Sequence, residues 1–137
     1  MAAARAKWVC LVARWLKFNA VGGIGIGVQL AALAILKSVL HVDYLAATAS
    51  AVEAAILHNF FWHERFTWAD RGRGSWAARL LKFNLTTGAF SLTANLLLMK
   101  VLIGSLHVQY MAANCLAIAS CSLLNFVISD QYVFRLG

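Results

Sequence analysis

The residues able to do chemistry in this chain are few and unevenly placed. Glu53 stands in the middle of an apolar stretch, residues 44–68, YLAATASAVEAAILHNFFWHERFTW. The stretch continues through His58, Asn59 and a run of aromatics, and meets charge again at Glu64 and Arg65. A carboxylate at the centre of a bilayer costs roughly 2.5–3.5 kcal/mol, so it faces a cavity, a partner helix or a substrate path. Two readings of Glu53 stay open. As a structural residue it is protonated, or hydrogen-bonded to Gln29, Asn95 or another polar group. As a functional residue it accepts a sugar hydroxyl or carries a proton. His58 lies five positions on, turned by ~140° around a helix, so the two do not form a pair on one face. The sequence offers no pair of membrane carboxylates, no nucleophile with a base at helical spacing and no metal-ligand cluster. The expectation is a non-enzymatic protein without a cofactor.

The basic residues form a second group. Arg14 and Lys17 precede one apolar stretch, Arg79 and Lys82 precede another, and Arg65 closes the stretch around Glu53. Guanidinium and ammonium groups are natural partners of phosphate. The competing reading is topological, because basic residues accumulate on the cytoplasmic side of membrane spans.

Composition says what must position these groups. Of 137 residues, 62% are hydrophobic and only 12% are charged, against about a quarter in a soluble domain. Mean hydropathy is +0.74. This predicts an all-α membrane protein of one domain, residues 1–137, with four transmembrane helices. The net charge of +7 flanks apolar spans, so it points to anionic lipid headgroups rather than nucleic acid.

Residues 2–17 read as an interfacial helix, with Trp8, Val12, Trp15 and Leu16 on one face. The spans fall at about 18–38, 44–63, 83–103 and 110–129. In the first, Gly23 and Gly27 form a GxxxG suited to close helix packing, and Gln29 needs a polar partner. The basic loop 64–82 ends in a second interfacial turn carrying Trp76, Leu80 and Phe83. In the third span Asn84, Thr87, Gly88, Ser91 and Asn95 share a face that must turn inward. The fourth contains Asn114, Ser120, Ser122 and Asn125. Ten of the twelve Lys and Arg residues lie before the first span, in the middle loop or in the tail. That places both termini and the loop in the cytoplasm.

Self-comparison uncovers a repeat. RWLKFN at 14–19 matches RLLKFN at 79–84, an offset of 65. HVDYLAA at 41–47 matches HVQYMAA at 107–113, an offset of 66, so one residue is inserted between. Phe66 and Trp68 then fall opposite Tyr132 and Phe134. The chain reads as a tandem duplication of a two-helix unit, about 14–68 and 79–134. Asn19 matches Asn84, and Asn59 matches Asn125. The copies diverge where Glu53 meets Ala119, His58 meets Leu124 and Arg65 meets Gln131.

Lys17, Phe18, Val21, Gly22 and Gly23, followed by Asn59, Phe60, Arg65, Phe66, Thr67 and Trp68, give the chain a family likeness. It resembles the GtrA-like family of small four-helix membrane proteins, over about 14–134. The resemblance implies a role in cell-surface polysaccharide synthesis in the bacterial cytoplasmic membrane. Family members are proposed to flip polyprenyl-phosphate-linked sugars beside a membrane glycosyltransferase. The expected partners are therefore that glycolipid, membrane lipids, a glycosyltransferase and further copies of the chain. Arg14, Lys17, Arg65, Arg79 and Lys82 would bind the lipid phosphate. Glu53, His58, Asn59, Asn19, Asn84, Gln29, Ser91, Asn95 and Asn125 would line the sugar or coupling path. Two other readings remain open: a non-transporting subunit of a glycosyltransferase, and a small proton-coupled multidrug exporter.

Overall fold

Apolar helices joined by short turns are what the composition calls for, and helices are what the computed structural model shows. It describes residues 2–71, 74–90, 93–94, 97–98 and 100–135, and every regular element among them is helical. Among the described residues two helices, Ala4–Ser38 and Cys115–Val133, are long and apolar enough to cross a membrane. The chain divides into two units, Met1–Gly72 and Arg73–Gly137.

The first unit opens with α1, Ala2–Ser38, a single 37-residue helix. At 1.5 Å per residue it is about 56 Å long, well beyond a ~30 Å hydrocarbon layer. The separate interfacial helix expected at 2–17 is therefore the projecting end of α1. Nothing between Leu16 and Ala20 breaks a helix. Asn19, the weakest helix former there, donates its side-chain amide to the Trp15 carbonyl at 2.8 Å within the continuous helix. α1 ends where His41 takes a left-handed φ of 52° and the Val42 amide reaches back six residues to the Leu36 carbonyl at 2.9 Å.

α2, Tyr44–Trp62, packs back on α1 through buried Ala47, Ala51 and Ala55, one small residue per turn. Small side chains let two helix backbones approach closely where lipid supplies no hydrophobic drive. The helix then widens into a π-helical turn, His63–Thr67, closed by the Trp68 amide on the His63 carbonyl at 2.8 Å.

The second unit starts at Ser75, whose hydroxyl caps the Ala78 amide of α3, Trp76–Asn84. α3 runs straight on into a π-helical segment, Leu85–Phe90, so the middle-loop interfacial turn is not separate from this helix either. A second π segment, Lys100–Ser105, precedes His107, which has a φ of 53°. The offset between matching residues changes from 65 to 66 between Asn84 and His107. An extra residue in a helix is taken up as a π turn. Ser91 and Asn95 lie outside the described residues. α4, Tyr110–Ile128, buries Ala113, Ala117 and Cys121 and ends in the π turn Ser129–Val133.

Details of the first unit recur in the second. The Val108 amide meets the Leu102 carbonyl at 2.9 Å, as Val42 meets Leu36. The Phe134 amide meets the Ser129 carbonyl at 2.9 Å, as Trp68 meets His63.

Candidate functional site

Each unit carries a cation on an aromatic ring where its first helix passes the closing π turn of its second. In the first unit the Lys17 ammonium lies 4.7 Å from the centre of the Phe66 ring and donates to the Phe66 carbonyl at 3.4 Å. In the second the Lys82 ammonium lies 4.9 Å from the Tyr132 ring centre. A ring face attracts a cation without neutralising it, so each ammonium keeps donors for an anion.

Buried aromatics fix both platforms. Phe18 stacks on His63 with centroids 4.7 Å apart, and Trp68 meets both edge-on, at 6.0 Å from Phe18 and 5.4 Å from His63. His63 is buried and shares a hydrogen bond with the Thr67 hydroxyl at 3.0 Å. In the second unit Phe83 meets Phe134 edge-on at 6.2 Å, with Ser129 buried at the position matching His63.

The arginines that match in sequence do different things. Arg14 forms an ion pair with Asp70, and its side chain is 16% exposed against 59% for Asp70. Arg79 is buried and donates to the Gly74 carbonyl at 3.0 Å. Arg65 is exposed and lies 4.1 Å over the Phe61 ring. The equivalent anion seats are thus the two lysines. A half-exposed ion pair contributes at most about 1 kcal/mol. Asp70→Asn should therefore shift the melting temperature little while raising retention on vesicles containing anionic lipid, because it removes the carboxylate paired with Arg14. Unchanged vesicle binding would show Arg14 already available.

The polar path residues scatter along the units. Glu53 is exposed on α2, and lies ~18 Å along the helix axis from Arg65. Arg65 and Glu53 therefore do not share a cluster. His58 bonds Asn59 through Nδ1 and Oδ1 at 3.2 Å. Asn19, Gln29, Asn84 and Asn125 are half-buried.

Within the chain Gly25, not the Gly23 and Gly27 pair, is the close-packing glycine. A Cβ at Gly25 would collide with the Asn59 amide, whereas nothing lies within 4 Å of one at Gly23 or Gly27. Gly25→Ala should drive the Asn59 side chain off its hydrogen bond with His58. Overpacking costs about 1–3 kcal/mol, and better helix propensity returns up to ~1 kcal/mol. Gly23→Ala and Gly27→Ala should not lower the melting temperature of the dispersed chain. Equal effects at all three positions would contradict the packing. Adding Asn59→Ala should relieve Gly25→Ala.

Sequence reasoning passed over Gly25, Asp70 and the platform role of Phe66 and Tyr132. The signal for the rings was the repeat, which matches Lys17 with Lys82 and Phe66 with Tyr132.

The GtrA/DPMS transmembrane domain family matches residues 17–134, from the first lysine seat to the last buried ring. The chain belongs to this family. The GtrA-like resemblance carried by Lys17–Gly23 and Asn59–Trp68 is therefore correct. A curated relative, dolichol-phosphate mannosyltransferase of Pyrococcus furiosus, is 34% identical over 125 residues. The aligned segment covers 90% of this chain and 34% of that protein, so this GtrA/DPMS domain spans about a third of the relative's length.

Proposed function

We propose that this GtrA/DPMS domain moves a polyprenyl-phosphate-linked sugar across the membrane without itself making or breaking a covalent bond. The observation that carries the reading is the pair of lysines poised on rings, one per unit, in a family whose named relative acts with dolichol phosphate. In this account each lysine takes hold of the lipid phosphate, the polar faces with Asn19, Asn59, Asn84 and Glu53 shelter the sugar, and the prenyl tail stays in lipid. The account has four spans from a tandem two-helix repeat, supported by the matched turns, buried rings and cation seats of the two units. In this account both termini and the middle loop face the cytoplasm, an orientation that the Lys and Arg bias favours. Four helices are few to shelter a glycolipid, and Gly23 and Gly27, open in the single chain, offer a face for a second copy. The test is reconstitution in liposomes with a polyprenyl-phosphoryl sugar. Transbilayer exchange well above that of empty liposomes is expected; exchange equal to theirs sinks the proposal.

One observation favours a second reading, a membrane subunit for a glycosyltransferase. The relative bearing a mannosyltransferase name is about three times the length of the matched segment. That reading predicts a sugar-transfer reaction stimulated by this chain, insensitive to Glu53→Gln and sensitive to changes in the middle loop.

A further inference from the structure

A groove of about 180 Å³ opens in the first unit between Ala20, Val21 and Ile24 of α1 and His58, Trp62 and Phe66 of the second helix. Its wall presents carbon only. Lys17, Ala20, Val21 and Ile24 fall at i, i+3, i+4 and i+7, so the lysine heads the same helical stripe that forms one wall. His58, Trp62 and Phe66 form the other at four-residue spacing. Phe66 belongs to both features, since its ring carries the Lys17 ammonium and also closes the groove.

Cation and groove together describe a ligand with an anionic head and a hydrocarbon tail running along the helices. The carbon wall begins at the Phe66 ring that carries the ammonium and continues past Ala20, one helical turn along α1 from Lys17. In a phospholipid that stretch is occupied by glycerol ester groups, whose carbonyls would lose their hydrogen bonds against Ala20 and Val21. In a prenyl phosphate the hydrocarbon starts at the carbon bonded to the phosphate oxygen. We infer that this groove seats the first isoprene units of a prenyl phosphate whose phosphate sits on Lys17. The inference rests on the transport reading for its ligand class and adds the element that tells this lipid from bulk phospholipid. The groove runs only ~10 Å from Lys17 to Ile24, so it reads the head-proximal units and leaves the rest of the chain in lipid. In the second unit the positions matching Ile24, His58 and Trp62 are Ala89, Leu124 and Ile128. The imidazole and indole rings of the wall therefore belong to the first unit alone.

The test is native mass spectrometry of the detergent-solubilised full chain with a polyprenyl phosphate and, separately, phosphatidylglycerol. Wild type should retain the prenyl phosphate in preference. Ala20→Phe and Ile24→Trp, which fill the groove, should weaken it by roughly tenfold or more, with unchanged helicity and melting. Equal retention of phosphatidylglycerol, or undiminished binding by the filled variants, overturns the inference. Should those variants fail to fold, a prenyl phosphate with a photoreactive group near its phosphate is cross-linked to wild type. Labelling within 20–24 and 58–66 supports the groove, and labelling confined elsewhere overturns it. Flipping that survives groove filling removes the seat and leaves transport standing. Groove binding without any flipping does the reverse.

Discussion

Trp68→Ala is expected to destabilise the first unit by about 3–5 kcal/mol, the range for deleting a fully buried large aromatic. Trp68 is fully buried, with its ring edge-on to both Phe18 and His63. Its amide also closes the π turn that carries Phe66. Removing the indole leaves Phe18 and His63 with a void, so the cost combines lost contacts with an unfilled cavity. The loss reaches the cation seat as well, since Phe66 is positioned only two residues earlier. Trp68→Phe should cost far less, because Phe134 already fills the matching place in the second unit. Thermal unfolding in detergent, followed by near-ultraviolet dichroism, checks the order. A Trp68→Ala variant that melts with wild type would show that the indole does not hold the turn.

The second large effect is expected on the proposed transport. A charge-assisted hydrogen bond to phosphate contributes roughly 1.5–3 kcal/mol, about tenfold or more in rate at limiting substrate. Lys17→Gln should slow flipping by that factor, and Lys17→Gln with Lys82→Gln by ~100-fold. Gln keeps a long stem and a polar tip, so the loss reports charge rather than packing. Phe66 and Tyr132 are half-exposed rings that remain in place without the ammonium, which keeps the expected change in stability small. Arg79→Lys would test a different matter, since its guanidinium is spent on the Gly74 carbonyl within the fold.

Much of the helical frame was legible in the sequence because apolar stretches of span length, a His-containing turn and a repeat all point the same way. His41 and His107 mark the two equivalent turns, and both adopt the same left-handed conformation. The extra residue in the second copy was visible as a change of offset, and π-helical segments flank the place where it occurs. The amphipathic faces at 2–17 and 76–83 misled, because a hydrophobic stripe shows which side is apolar and not whether the helix stops. The site was half legible. Lys17 and Lys82 were among the expected phosphate ligands, but so were Arg14 and Arg79, and only geometry separates a cation on a ring from one held by Asp70 or Gly74. Gly25 was hidden beside a more conspicuous GxxxG, because close approach depends on which residue faces the neighbouring helix. Asn59 faces Gly25.

In the proposed account the lysine seats capture the lipid phosphate at the cytoplasmic face and so start its transfer across the membrane. This step is tested most directly by reconstituting wild type and the Lys17→Gln, Lys82→Gln variant at equal density in liposomes with a polyprenyl-phosphoryl sugar, and following its access to a membrane-impermeant reagent. The account predicts fast exchange for wild type and a rate within a few-fold of empty liposomes for the folded variant. Equal rates for the two proteins would contradict it.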